Sequence, residues 1–138
     1  MGAYALLFPG QGSQYVGMGQ DLASASPAAA AVFADADQVW PGQLTPLLFS
    51  GPAEALTDTA NAQPGLFVTG LACLAALREA LRDDGGLRPT LVAGHSLGEY
   101  TALAAAGCFG LTEGLKLVRV RGAAMKEAGE REPGGMAA

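Results

Sequence analysis

A chain of 138 residues, half of them hydrophobic, is long enough to bury a core and too apolar and too weakly charged to be disordered. Its formal net charge of -5 lacks the basic footprint that nucleic acid or an anionic membrane surface requires, so neither is an expected partner.

The N-terminus, MGAYALLFPG, carries no basic segment and no small-residue cleavage site, so it does not read as a signal peptide, and the bacterial cytoplasm is the expected location. Residues 3–8 read as a short buried strand, which Pro9-Gly10-Gln11-Gly12-Ser13-Gln14 breaks. Ser26-Pro27 predicts a helix start, with serine as N-cap and proline in the first turn. Pro41-Gly42 ends that helix. Residues 44–57, punctuated by Pro46, Gly51 and Pro52, predict short helical turns. Residues 61–82 predict a long helix, apolar nearly all round over 66–77 and stopped by Gly85-Gly86. The longest apolar stretch, 65–77, is too short to span a bilayer.

A second short strand is expected at 90–94 and a small-residue helix at 97–106. Thr112 is the expected cap of a last helix, whose buried stripe is Leu111, Leu115, Val118, Gly122 and Met125. Residues 130–135 read as a charged loop. Cys73 and Cys108 sit in apolar runs and are expected to be buried, reduced thiols. No Cys/His spacing suits a metal, and none is expected. Two strands, each followed at once by a turn and a helix, predict an α/β fold. A sheet of two strands lacks most of its members, which suggests that more chain follows Ala138.

Gly94-His95-Ser96-Leu97-Gly98 is G-x-S-x-G between a predicted strand and a predicted helix. In that setting the serine occupies a sharp turn, and the helix N-terminus aims free N–H groups where a tetrahedral oxyanion would form. A serine nucleophile needs a base. His95 is the one histidine, and as the residue preceding Ser96 it points away from it, so its expected role is structural or pocket-lining.

Phe8-Pro9-Gly10-Gln11-Gly12-Ser13-Gln14 and Gly94-His95-Ser96-Leu97-Gly98-Glu99-Tyr100 together resemble the malonyl-CoA:acyl carrier protein transacylase family, including the acyltransferase domains of polyketide synthases. Gly51-Pro52-Ala53-Glu54, Gln63-Pro64 and Arg121-Gly122 with Met125 match as well. Gly134-Gly135-Met136-Ala137-Ala138 resembles the stretch leading into the family's small subdomain. The resemblance implies an α/β-hydrolase-like large subdomain with a parallel sheet, of which residues 1–138 are the N-terminal part. The inserted ferredoxin-like small subdomain, the C-terminal part and the family's histidine base would lie beyond it.

By the same resemblance Ser96 is the nucleophile, and the backbone N–H groups of Gln11 and Leu97 form the oxyanion hole. Arg121 holds the malonyl carboxylate, a role that suits a guanidinium fork. Gln63 and His95 line the substrate pocket. The implied substrates are malonyl-CoA and phosphopantetheinylated acyl carrier protein, with no covalently bound cofactor. Leu97 resembles malonyl-selective members, many methylmalonyl-selective relatives having glutamine there. Two other readings stand beside this one. A serine esterase or thioesterase shares G-x-S-x-G but needs no Arg121. An inactive fragment or split half would need the remainder, which is then a partner.

Overall fold

The computed structural model describes residues 4–41, 43–82, 86–132 and 134. Among the described residues nine elements follow one another: β1 (Ala5–Phe8), α1 (Gln20–Ala25), α2 (Pro27–Val39), α3 (Leu44–Ser50), α4 (Ala53–Thr57), α5 (Thr59–Ala80), β2 (Leu91–Gly94), α6 (Gly98–Ala105) and α7 (Leu111–Arg131). The α/β expectation is borne out. β1 and β2 pair in parallel, from Ala5 opposite Leu91 to Phe8 opposite Gly94, so both strands deliver their C-terminal ends, and the turns that follow, to the same place.

α5 is the axis of the molecule. Phe67 and Val68 on it are fully buried, packed with Leu44 of α3, Leu56 of α4 and Leu115 and Val118 of α7. Among the described residues it is the one helix long and apolar enough to cross a bilayer, yet half of its apolar window is buried within the protein, as expected of a core helix. The Asp58 carboxylate accepts the Ala60 N–H at 2.9 Å and so starts α5 at Thr59, two residues before the expected position. At the far end Gly86, in the left-handed region at φ +76°, donates to the Leu81 carbonyl, while Gly85 lies outside the described residues.

α2 begins as the sequence predicts: Ser26 Oγ accepts from Ala29 N–H at 3.1 Å. The same hydroxyl donates to Glu79 of α5 at 2.5 Å, tying the cap to the central helix. α1 was not anticipated. Gly19 at φ +81° turns the chain immediately before it.

Three expectations for the C-terminal third need correction. Gly110, extended at ψ 178°, is the N-cap of α7, so Thr112 already lies inside the first turn and caps nothing. α7 continues through Glu130 to Arg131, with an Arg131–Glu127 ion pair at 2.5 Å on its last turn, and the loop predicted at 130–135 does not begin there. Pro133 and Gly135 lie outside the described residues. On the stripe, Leu115, Val118 and Gly122 are buried, but Met125 is 36% exposed because beyond Gly122 only one flank of α7 meets α5, at Gln63 and Asp58.

Cys73 and Cys108 are exposed, not buried. Cys73 lies on a face of α5 turned away from the core, and Cys108 lies in the turn between α6 and α7. Cys73 lines an open groove of about 570 Å³ with Leu7, Phe8, Leu74 and Leu77, along β1 and α5. Partial desolvation there pushes its thiol pKa up, away from the reactive thiolate.

Candidate active site

The parallel pair ends at Phe8 and Gly94, and the site is built on the two turns that leave those ends. Between β2 and α6 the chain reverses over His95, Ser96 and Leu97. Ser96 is the one non-glycine residue with positive φ among those described, at +53°. Two glycines permit this turn. A Cβ on Gly94 would sit 1.9 Å from the Gly98 carbonyl carbon, and one on Gly98 would sit 2.2 Å from the Phe8 carbonyl oxygen. Strand, turn and helix therefore touch backbone to backbone, and Ser96 is left exposed at the tip.

The hydrogen bonding of the turn is selective. His95 N–H donates to Phe8 O at 3.1 Å, Gly98 N–H to His95 O at 2.8 Å and Glu99 N–H to Ser96 O at 3.2 Å. Among the described residues the Leu97 N–H donates to no protein acceptor, although its side chain is fully buried. The Gln11 N–H is equally free, whereas the next one, from Gly12, donates to Gln14 Oε1 at 2.8 Å. Gln11 belongs to the turn after β1, which lies against the serine turn: a Cβ on Gly10 would meet His95 O at 2.7 Å. The Gln11 side chain donates to Thr59 Oγ1 at 3.0 Å and fixes this turn to the start of α5.

α7 brings the cation. It crosses the start of α5 at Gly122, where a Cβ would lie 2.9 Å from Thr59 O. That close crossing sets Arg121 beside Gln63. Arg121 Nη1 donates to Gln63 Oε1 at 2.6 Å and Nη2 donates to Ser96 Oγ at 3.0 Å. The Tyr100 ring lies 5.6 Å from the guanidinium carbon. Gln63 is fully buried and is not a solvated helix-start glutamine. Its Nε2 donates to Met125 Sδ at 3.2 Å. Arg119, two residues before Arg121, takes the other flank of α7 and stacks 4.3 Å above the Trp40 ring.

Beyond this cluster, Lys126 of α7 pairs with Asp58 at 2.5 Å. The hydrogen bond from Lys126, with that from Ala60 N–H, holds the Asp58 carboxyl below its ordinary value, and Asp58 in turn raises Lys126. The pair is a second tie between α5 and α7.

The structure thus brings together Ser96, Arg121 and Gln63 through direct bonds, with Leu97 and Gln11 on the two adjoining turns. His95 is exposed and packs beside Gly10. Among the described residues it makes no hydrogen bond to Ser96 Oγ, so it is not placed as a base. No group of metal-ligating side chains occurs among the described residues. Sequence reasoning missed Thr59 and the bond between Met125 and Gln63. Met125 stands four residues after Arg121, a helical spacing that was visible, but nothing in the sequence pairs a thioether on one helix with an amide on another.

Comparison with known proteins identifies the family. The family described as the acyl transferase domain matches residues 5–138. The chain is 46% identical over 138 residues to the malonyl CoA-acyl carrier protein transacylase of Bacillus subtilis (strain 168), covering all of this chain and 42% of that protein. The acyl-carrier-protein-S-malonyltransferase structure from Bartonella henselae superposes with a TM-score of 0.82 at 45% identity, covering 93% of this chain and 40% of that one. A malonyl-transacylase in complex with its type II PKS acyl-carrier protein superposes at 0.81 with 42% identity, covering 92% of this chain and 40% of that one. The chain therefore spans about two fifths of the length of these relatives. With the serine turn seated on a parallel strand pair and the match running across almost every residue, the chain belongs to the acyl transferase domain family.

Proposed function

We propose that this chain carries the nucleophile-bearing part of a malonyl-CoA:acyl carrier protein transacylase of fatty-acid or polyketide synthesis. One observation supports it above the others: Arg121 is bonded at once to buried Gln63 and to Ser96 Oγ, so a fixed guanidinium fork stands beside the nucleophile. A neutral acyl group has no use for such a fork, whereas a free carboxylate two carbons from the thioester carbonyl can take it.

In the reaction, Ser96 Oγ attacks the thioester carbonyl while the acyl carboxylate displaces Oγ from Arg121 Nη2. The proton of Ser96 goes to a general base that these residues do not supply, and which we place in the remainder of the whole enzyme. The developing oxyanion takes the unused N–H groups of Gln11 and Leu97. The C–S bond breaks, coenzyme A leaves as its thiol, and malonyl remains as an ester on Ser96. The phosphopantetheine thiol of an acyl carrier protein then attacks that ester by the same path in reverse, giving ping-pong kinetics. The structural relative named as a complex with its acyl-carrier protein supports this acceptor. No metal or redox group is required by these steps.

In the whole enzyme we assign residues 1–138 to the first part of an α/β-hydrolase-like large subdomain, followed by a ferredoxin-like small subdomain. The exposed strand residues Leu7 and Leu91 support a sheet that continues in the rest of that enzyme.

The test is loading of Ser96 in the whole enzyme, read by intact mass after mixing with malonyl-CoA or acetyl-CoA. Ser96→Ala should abolish both esters. Arg121→Ala should lower the rate of malonyl loading about 100-fold, the loss of a charge-assisted pair, and acetyl loading far less. Equal losses for the two acyl groups would remove Arg121 from the carboxylate-binding role.

A further inference from the structure

Gln63 is buried with both ends of its amide engaged, and the two partners differ in kind. Arg121 is a donor only, and it meets Oε1 at 2.6 Å. Met125 Sδ is an acceptor only, and it meets Nε2 at 3.2 Å. Turning the amide over would set its NH₂ against a guanidinium N–H, donor on donor beside a positive charge, and would leave Oε1 facing a sulfur lone pair. Both contacts would then be unfavourable for an amide that is itself fully buried. The thioether is therefore not neutral packing.

We propose that Met125 is a positioning residue for carboxylate recognition: its sulfur fixes the orientation of the Gln63 amide, which holds Arg121 Nη1 and leaves Nη2 presented beside Ser96. This rests on the proposed transacylase reading, and it assigns Met125 a role through Gln63 and not as a wall against the acyl chain. The geometry supports that division. Met125 lies one helical turn beyond Arg121 on α7, while Gln63 reaches both from α5. The relay Met125–Gln63–Arg121–Ser96 runs as three consecutive hydrogen bonds across two helices and the serine turn. Without the sulfur, the amide can populate its reversed state, and in that state Arg121 loses its anchor.

The experiment uses the whole enzyme and the ratio of malonyl to acetyl loading on Ser96. Met125→Leu keeps an unbranched-to-branched apolar side chain of similar volume and removes only the acceptor. It should lower the kcat/KM for malonyl loading about threefold to tenfold, the effect of one ordinary hydrogen bond, mainly through KM. Acetyl loading should stay within twofold of wild type, roughly the scatter of a neutral surface change. The deciding measurement is a double-mutant cycle with Gln63→Leu. If Met125 acts through Gln63, Met125→Leu has no further effect on the ratio once Gln63 is gone. An equal drop in both backgrounds would show that Met125 touches the acyl group directly, and an unchanged ratio in the single variant would show that the amide needs no lock. Either result overturns the proposal. Malonyl loading by wild type, abolished in Ser96→Ala and lowered about 100-fold in Arg121→Ala, is the control that separates these outcomes from a failure of the transacylase reading itself.

Discussion

Ser96 occupies a backbone conformation that costs an L-residue about 1–3 kcal/mol, and the surrounding glycines are what hold it there. Gly98→Ala tests this: its new Cβ would lie 2.2 Å from the Phe8 carbonyl oxygen, which belongs to the strand and cannot yield. The variant should melt well below wild type and lose Ser96 loading, read by circular dichroism and by mass. Melting and loading both unchanged would show that α6 slides freely on β1. At this scale G-x-S-x-G was fully legible, because steric close approach is written in the glycines themselves. The proposed roles of Arg121 and Gln63 were legible only by resemblance, since a lone arginine between Leu117 and Met125 reads equally well as solvated. The Met125 bond was not legible at all: it joins residues 62 apart, and a thioether in an apolar stripe looks like packing.

Caps and turns decide how the elements begin, and Asp58 joins that local signal to the tertiary structure. It caps α5 through Ala60 N–H and ties α5 to α7 through Lys126. Its carboxyl is held below the ordinary value of 3.8 when folded, so its stabilisation is complete above about pH 4 and fades as the pH falls through the folded value. Lys126 is raised above 10.5, so its share is complete below that pH and fades as the pH rises through the folded value. Asp58→Ala should cost about 1 kcal/mol near neutrality, the usual loss of an N-cap, and should flatten the acid limb of stability against pH. Asp58→Asn should keep most of the cap while still flattening that limb. Urea unfolding at several pH values measures both, and an acid limb as steep as wild type would rule out this pair as its source. Ser26-Pro27 announced α2 because cap and proline act locally. α1 escaped because it is only six residues long and follows Gly17 and Gly19 directly, and α7 runs past its expected end through a last turn that carries the Glu127–Arg131 pair.

Across the whole molecule, the strand pair that carries the site leaves apolar side chains uncovered. Leu7 is 76% exposed and Leu91 60%, and the groove beside β1 is lined by apolar side chains. A polypeptide of these 138 residues by itself should bind a hydrophobic dye and self-associate, as seen by light scattering. It should also show transacylase turnover about 10⁴- to 10⁶-fold below the whole enzyme, because its one histidine is not bonded to Ser96. A monomeric, cooperatively melting, fully active 138-residue chain would refute both expectations. The α/β class and parallel pairing could be read from the strand–turn–helix order. The exposure of Cys73 could not, since burial depends on which face of α5 the core takes.

The crossing of α7 over the start of α5 at Gly122 works as a vernier. Arg121 and Gln63 ride on different helices, and their 2.6 Å contact reports how far one rail has slid along the other. One residue of helix advance is about 1.5 Å, so a shift of a few tenths of an ångström spoils the alignment long before it exposes any core. Gly122→Ala, which must lift α7 off Thr59, should therefore blur the distinction between malonyl and acetyl groups at a temperature where the protein is still fully folded. On the proposed function, discrimination between the two acyl groups is then expected to fail at a lower temperature than the fold itself.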